Sequence, residues 1–258
     1  MSITVSFDQV CKHFTLFLRN TGGLKSFLLN LPKRLSELKS RKFEVLCDLT
    51  FEVRQGEAFG IIGRNGAGKS TTLGLIAGVL MPSSGQVSVK GRVSPLIELG
   101  AGFHQDLTGR DNIMLNGVLM GLTRADVKRK MNEIIEYSEL GEFIEQPLRC
   151  YSSGMVARLG FSVVSQLEPE ILLIDEVLAV GDLEFQKKCL ATMDDFRKSG
   201  VTIIMVSHSM KDITSLCSRV LWLDNHRMKM IGEAAEVTRS FVESMGLTES
   251  SGQGCTFA

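Results

Sequence analysis

The sequence predicts an α/β fold in which a mostly parallel β-sheet carries helices on both faces. Short apolar runs at 58–62, 171–174 and 201–206 alternate with stretches of helical periodicity, which is typical of parallel sheets. Strand-like runs near the N-terminus predict an antiparallel β flank beside that sheet. A long helical stretch at 104–168 interrupts the strands and predicts an inserted helical subdomain.

Length and composition are those of an ordinary globular protein. The 258 residues are 44% apolar and 22% charged, which excludes a disordered tail and a small disulfide-stapled scaffold. The 29 basic and 29 acidic residues balance, so net charge does not favour a polyanionic partner. No run reaches the roughly 18 apolar residues of a membrane helix, and the first ten residues lack the Lys or Arg of a secretory signal. We therefore expect a cytosolic protein whose six cysteines are reduced thiols.

The individual elements follow from hydrophobic periodicity and from turn residues. Strands are expected at 3–10, 45–53, 58–62, 171–174 and 201–206, with hairpins at 86–93 and about 224–225. Helices are expected at 69–80, within 110–147, and at 152–166, 183–198 and 209–217. We expect one domain over 1–247, with a basic helical insertion at 12–42, the helical subdomain at 104–168 and a flexible tail at 248–258.

A glycine-rich segment between a predicted strand and a predicted helix carries the strongest motif. Its residues match G-x-x-x-x-G-K-[ST]: Gly63, Arg64, Asn65, Gly66, Ala67, Gly68, Lys69 and Ser70. Glycines let backbone N–H groups wrap a polyphosphate, and the following helix directs its positive dipole end at the same anion. Lys69 is expected to reach the β- and γ-phosphates, and the Ser70 hydroxyl to ligate Mg²⁺. The weaker alternative is a plain strand–helix turn.

Two carboxylates follow a buried strand later in the chain. The apolar run 171–174 leads into Asp175 and Glu176, and α/β sheets bind ligands at the carboxyl ends of their strands. Asp175 is expected in the Mg²⁺ shell, and Glu176 is expected to orient and polarise an attacking water. The alternative is a solvated acidic pair at the start of a helix.

Four further features are similar to those of ABC-transporter ATPases. The segment Tyr151-Ser152-Ser153-Gly154-Met155 resembles the signature motif of that family, and Ala179-Val180-Gly181-Asp182 resembles its D-loop. His208 matches the switch histidine, and Phe14 lies where the family stacks an aromatic ring on adenine. Taken singly, Ser152 could be a plain helix N-cap, His208 a core histidine and Phe14 a core aromatic. In this order, over residues 10–232, they identify the chain as a member of the ABC family, with its P-loop NTPase fold.

The resemblance is narrower within that family. The segments Leu96–His104, Leu107–Asn112 and Tyr151–Met155 resemble the ATP-binding subunits of bacterial polysaccharide exporters, which transport O-antigen, capsule or teichoic acid chains. The basic stretch before residue 45 and the segment Phe185–Cys189 are most similar to the O-antigen branch.

This resemblance implies how the site residues act. Two copies would pack head to tail, and each ATP would lie between Gly63–Thr71 of one copy and the Ser152–Met155 segment of the other. Glu176 and His208 would be catalytic, and Asp182 would lie near the nucleotide.

The resemblance also implies the partners of the chain. ATP and Mg²⁺ would be bound, and two copies of a separate multispanning permease would carry a lipid-linked polysaccharide. The chain would lie on the cytoplasmic side of the bacterial inner membrane, next to its surface and without nucleic acid.

One family feature departs from the pattern. After the hairpin expected here at 86–93, most members carry a glutamine that contacts Mg²⁺ and the membrane subunit. Counting back from Leu107 places the corresponding position at Glu98 or Leu99. We assign Glu98, with Ser70 and Asp175, as metal ligands, and Gln105 stays the alternative to Glu98.

The insertion at 12–42 has two interpretations. It holds eight basic residues and one acidic residue, together with an apolar stripe at helical spacing. It is either an amphipathic helical pair packed on the core, or a positive face lying against anionic lipid headgroups or a lipid-linked diphosphate.

The sequence disfavours three other functions. A soluble ABC-type ATPase acting on nucleic acid or the ribosome usually has a coiled-coil insertion or two cassettes, which 258 residues do not fit. Residues Asp106–Gly109 fit the D-x-x-G of GTPases, but no N-K-x-D for guanine occurs. A sensor without hydrolysis is disfavoured because Glu176 and His208 are both present.

Overall fold

A computed structural model describes residues 2–16, 41–96, 100, 102–175 and 181–246. These residues form two β-sheets. The larger sheet has six strands in the order β5-β6-β7-β3-β8-β9, and every neighbouring pair is parallel except β8–β9. The strands of this sheet are β3 (Ala58–Gly63), β5 (Val93–Leu96), β6 (Ile171–Asp175), β7 (Thr202–Val206), β8 (Arg219–Asp224) and β9 (Arg227–Glu233).

The smaller sheet is the antiparallel flank that the sequence predicts. It has the order β2-β1-β4, and both of its strand pairs are antiparallel. Its strands are β1 (Ile3–Leu16), β2 (Arg41–Arg54) and β4 (Ser84–Val89).

The described part of the chain contains seven α-helices. They are α1 (Lys69–Ile76), α2 (Gly109–Leu119), α3 (Arg124–Ser138), α4 (Ser153–Ser165), α5 (Leu183–Lys198), α6 (Met210–Leu216) and α7 (Ala234–Ser244). Two short 3₁₀ turns, Gly141–Glu145 and Leu148–Cys150, connect α3 to α4. Five helices begin at a side chain that accepts a hydrogen bond from the backbone N–H three residues on: Thr108, Thr123, Ser152, Asp182 and Ser209. None of the described helices is long and apolar enough to cross a membrane.

The larger sheet is buried on both faces because its central strands are apolar throughout. Along β6, Leu172 and Ile174 pack into the layer that contains α4 and α5, while Ile171 and Leu173 pack into the layer that contains α1 and the smaller sheet. This period-two division explains why β6 is a continuous apolar run rather than an alternating one. Helices α2, α3 and α4 enclose a third cluster of buried side chains, which is the core of the predicted helical subdomain.

Several predicted elements need correction. The 86–93 hairpin is wrong: β4 joins the smaller sheet and β5 joins the larger one, so the chain crosses between sheets at Gly91 instead of turning back. The 12–42 insertion is strand at both ends, because β1 runs to Leu16 and β2 starts at Arg41, and the two strands pair over this length. Helix α1 ends at Ile76 rather than at residue 80, and α7 was not predicted.

Other predictions lie outside the described residues. These are the helices expected within 17–40 and the tail at 248–258.

Candidate nucleotide site

The phosphate loop, which we define as Gly63–Thr71, runs from the end of β3 into α1, as the motif predicts. Gly68 adopts a φ of +104°, and a Cβ there would lie 2.5 Å from Leu46 Cδ2. A Cβ on Gly63 would overlap the carbonyl oxygen of Leu223. These two close approaches require glycine, because any side chain would push the loop away from β2 and β8.

Lys69 places a buried cation inside this loop. The residue is 7% exposed, and its ammonium donates hydrogen bonds to the carbonyl oxygens of Gly63 (2.9 Å) and Arg64 (3.2 Å). Those carbonyls hold the charge at the N-terminus of α1, where the helix dipole also favours an anion. The loop is therefore equipped to bind a polyphosphate, with Ser70 and Thr71 in the first turn of the helix.

Asp175 lies at the same edge of the sheet as the phosphate loop. It is the last residue of β6, and the strand register aligns it with Val206 on β7 and, through Val206, with Ile61 on β3. Since neighbouring strands lie about 4.8 Å apart, β6 and β3 are separated by about 10 Å. His208 follows β7 by two residues at this edge, and it is exposed, so the core-histidine interpretation is wrong.

The other predicted metal and catalytic residues are placed only in part. Glu98 and Glu176 lie outside the described residues, although Glu176 is bonded directly to Asp175. Gln105 is exposed in the loop before α2, and its carbonyl oxygen accepts a hydrogen bond from the Arg149 backbone N–H (3.0 Å). Ser70 and Asp175 are hard oxygen donors at one edge of the sheet, and such donors fit Mg²⁺.

Phe14 is part of an exposed aromatic pair close to the phosphate loop. It is 39% exposed, so it is not a core aromatic, and it lies directly opposite Phe43 in the β1–β2 register. Phe43 is 52% exposed and meets His226 edge-on, with ring centroids 6.0 Å apart. Val45 and Leu46, just beyond Phe43, contact Gly68. Sequence reasoning missed Phe43, because only the strand register brings it next to Phe14.

The predicted signature residues line a different cavity. Ser152 is the N-cap of α4 and accepts a hydrogen bond from the Met155 backbone N–H (3.2 Å), so the N-cap interpretation of this serine is confirmed. The signature cavity, of about 760 Å³, is lined by Ser152, Ser153, Gly154 and Met155 together with Glu139, Leu140, Phe143, Ala157, Arg158, Gly181 and Asp182. None of its lining residues belongs to the phosphate loop.

Charged side chains at the signature cavity fix its shape. Asp182 caps α5 by accepting the Phe185 backbone N–H (2.9 Å), and its other oxygen accepts a hydrogen bond from Arg158 (2.6 Å). The bond from Phe185, followed by the charge of Arg158, lowers the pKa of Asp182. Glu139 accepts hydrogen bonds from Lys188 (2.7 Å) and Arg158 (3.2 Å), and these cations, Lys188 first, lower the pKa of the Glu139 carboxyl.

Comparisons with known proteins agree with this geometry. A family model described as ABC transporter matches residues 46–179. The O-antigen export system ATP-binding protein RfbB of Klebsiella pneumoniae is 51% identical over 245 residues, which cover 95% of this chain and 100% of that protein. The teichoic acids export ATP-binding protein TagH of Bacillus cereus is 39% identical over 241 residues, which cover 93% of this chain and 43% of that protein.

A solved structure shows the same fold. A dimeric ATP-binding cassette in a post-hydrolysis state, bound to ADP and Pi, aligns with a TM-score of 0.70 and 17% identity, covering 89% of this chain and 98% of that chain. Given the family model and the relative that is half identical over nearly the whole length, this protein belongs to the ATP-binding proteins of the ABC transporter family.

Proposed function

We propose that this chain is the ATP-binding and ATP-hydrolysing subunit of an ABC transporter that exports a lipid-linked polysaccharide, O-antigen, across the bacterial inner membrane. The observation that carries the ATPase proposal is the division of the predicted nucleotide residues between the phosphate loop and the separate signature cavity. The names of the relatives RfbB and TagH support export of a polysaccharide. The alternative, a soluble ABC-type ATPase acting on nucleic acid, is not favoured by these relatives.

The phosphate loop would bind the triphosphate of ATP. Backbone N–H groups of Gly63–Thr71 would donate to the phosphate oxygens, and Lys69 would exchange its two carbonyl partners for the β- and γ-phosphates. Phe14 would stack on adenine, and its exposure at the loop supports this role. Phe43 extends the same aromatic surface.

Mg²⁺ would be held by the Ser70 hydroxyl and the Asp175 carboxylate, with Glu98 as a further ligand and Gln105 as its alternative. When bound, the ion would neutralise charge on the β- and γ-phosphate oxygens. Glu176 would accept a proton from the attacking water, and His208 would hydrogen-bond the γ-phosphate and keep this water in line.

A second copy of the chain would complete each site. Within one subunit the signature cavity and the phosphate loop share no lining residue, so the N-terminus of α4 is available for an anion held elsewhere. In a head-to-tail homodimer, Ser152–Met155 of one copy would meet the γ-phosphate bound to the loop of the other, and Asp182 would lie beside that interface. ATP would then favour the closed dimer, and hydrolysis would release it.

Closure of the dimer would act on a separate membrane protein. Two copies of a multispanning permease would hold the subunits on the cytoplasmic face of the inner membrane. The part of the 12–42 insertion that connects β1 and β2 would face anionic headgroups or the lipid-linked diphosphate of the substrate.

Surface display of O-antigen in a strain that lacks its own subunit tests this proposal. The wild-type chain, expressed with its cognate permease, should restore long-chain O-antigen at the cell surface, and Glu176→Gln should not. Lys128→Ala, on the exposed face of α3, is the matched control and should restore it. Equal display with wild type and Glu176→Gln at equal protein levels would contradict the proposal.

A further inference from the structure

Arg158 connects two functional segments that are 24 residues apart in the sequence. It lies on α4, six residues after the N-cap Ser152, and its side chain is 19% exposed. Its guanidinium donates to Asp182 Oδ2 (2.6 Å) and to Glu139 Oε2 (3.2 Å), and it lies 4.9 Å from the centroid of the Phe185 ring. One planar side chain therefore joins the ends of α3, α4 and α5.

Asp182 gives this contact its directional effect. One of its oxygens caps α5 and the other holds Arg158, so the start of α5 and the second turn of α4 are fixed to one carboxylate. Residue 182 also directly follows Gly181, where an added Cβ would lie 3.4 Å from Arg158 Nε. Movement of the signature segment would therefore displace Gly181 and Asp182 at the start of α5.

A second connection between the same elements lies farther from the cavity mouth. Lys188 on α5 donates to Glu139 (2.7 Å) and to the Tyr137 carbonyl oxygen (3.0 Å), and the Tyr137 hydroxyl lies 2.7 Å from Thr192 Oγ1. These bonds hold α3 against α5 without Arg158. The Lys188 and Tyr137 hydrogen bonds thus hold the helical subdomain against α5, and the Arg158–Asp182 contact is additional to them.

We propose that Arg158 is a positioning residue that keeps the signature segment in register with the Gly181–Asp182 turn. This rests on the proposed function, because in a head-to-tail dimer the signature segment touches one nucleotide while the turn lies beside the other. When the signature segment closes over one ATP, Arg158 would then position the Gly181–Asp182 turn beside the other ATP. The guanidinium suits this role, because its planar fork holds its donors in fixed directions toward the two carboxylates, whereas an ammonium is a point charge on a flexible stem.

Turnover and hydrogen exchange together test the proposal. Arg158→Ala should lower kcat at saturating ATP about tenfold through misplacement alone, while the Kd of single subunits for a fluorescent ATP analogue stays within about twofold. Asp182→Asn should reproduce the loss, because asparagine keeps the cap of α5 but not the charge. Glu139→Gln should have the smaller effect on kcat; a larger effect from it than from Asp182→Asn would assign Arg158 to packing within the helical subdomain and overturn the proposal.

A control variant is available on α5, away from the signature cavity. Arg197 pairs with Asp194 (2.6 Å) near the C-terminus of this helix, so Arg197→Ala removes an arginine–aspartate ion pair and should leave kcat unchanged. If Arg158→Ala folds poorly, Arg158→Lys takes its place. This variant keeps the positive charge and should give a kcat between those of the wild type and Arg158→Ala.

Hydrogen exchange on nucleotide-free protein separates this inference from the proposed function. Arg158→Ala should speed amide exchange about tenfold both in 152–158 and in 182–186, because the first two turns of α4 and the start of α5 lose their common anchor. Faster exchange confined to 152–158 would overturn the proposal whether or not the wild-type protein hydrolyses ATP. If the wild type does not hydrolyse ATP but Arg158→Ala speeds exchange in both segments, the result counts against the ATPase proposal alone.

Discussion

In the phosphate loop, nine consecutive residues supply the glycines, the buried lysine and the hydroxyls, whereas the signature cavity collects its residues from three separated segments. The phosphate loop is held in place by the hydrogen bond from Lys69 to a backbone carbonyl oxygen and by the packing of two glycines against neighbouring strands. Ion pairs between partly exposed side chains hold the signature cavity. We therefore expect substitutions at the sheet edge that carries the phosphate loop to abolish ATP binding or hydrolysis. Substitutions at the signature cavity should reduce the ATPase rate only in part.

The largest effect is expected from Glu176→Gln, directly after the last residue of β6. Loss of a general base costs about 10²- to 10⁴-fold in rate, so phosphate release should fall by at least about a hundredfold while ATP affinity is retained. A colorimetric phosphate assay beside equilibrium binding of an ATP analogue measures both. Phosphate release at a near-normal rate would remove Glu176 from the catalytic role.

Lys69→Ala should weaken ATP binding itself. A hydrogen bond to a charged group contributes about 1.5–3 kcal/mol, which corresponds to a Kd raised about ten- to a hundredfold. The exposed Lys128 on α3 offers the control, since Lys128→Ala should leave the Kd unchanged. Equal affinity in the wild type and Lys69→Ala would refute the phosphate-loop assignment.

Two helix caps permit a direct comparison of structure with function. Ser152 and Thr123 both accept the backbone N–H three residues on, so Ser152→Ala and Thr123→Ala should each cost about 1 kcal/mol of unfolding free energy. Only Ser152→Ala should also lower turnover, because Ser152 lines the signature cavity. Urea denaturation and ATPase rates for both variants test this, and equal turnover would reduce Ser152 to a structural cap.

The smallest effect concerns pH. The folded-state pKa of Asp182 is lowered, so its contribution to stability is present above its ordinary pKa and is lost as pH falls through the lower, folded value. The melting temperature of the wild type should therefore fall more steeply below about pH 4 than that of Asp182→Asn. The same dependence of melting temperature on pH in both proteins would mean that the charge of Asp182, which bonds Phe185 and Arg158, contributes nothing to stability.

Local patterns predicted most of the elements in the larger sheet. The helix at 183–198 and the strand at 171–174 were expected nearly where they lie, because each has a regular apolar period and the helix has a clear polar cap. The 86–93 hairpin failed because a glycine between two apolar runs looks the same whether the chain turns back or crosses to another sheet. Helix α7 is not among the elements that the sequence analysis predicts.

The candidate site shows the same division. The phosphate loop and the Asp175 strand end could be assigned from sequence, since consecutive residues carry the chemistry. Phe43 could not, because its place beside Phe14 depends on a β-register across a gap of 28 residues.

The amino-acid sequence by itself determined the phosphate loop, the apolar strands and the helix caps, because glycine conformation, side-chain periodicity and capping bonds act over a few residues. Only the tertiary structure decided which sheet β5 joined, where Phe43 lay and that Arg158 met Asp182 and Glu139. Those contacts join distant segments, and their energies depend on how whole helices and sheets pack rather than on neighbouring residues.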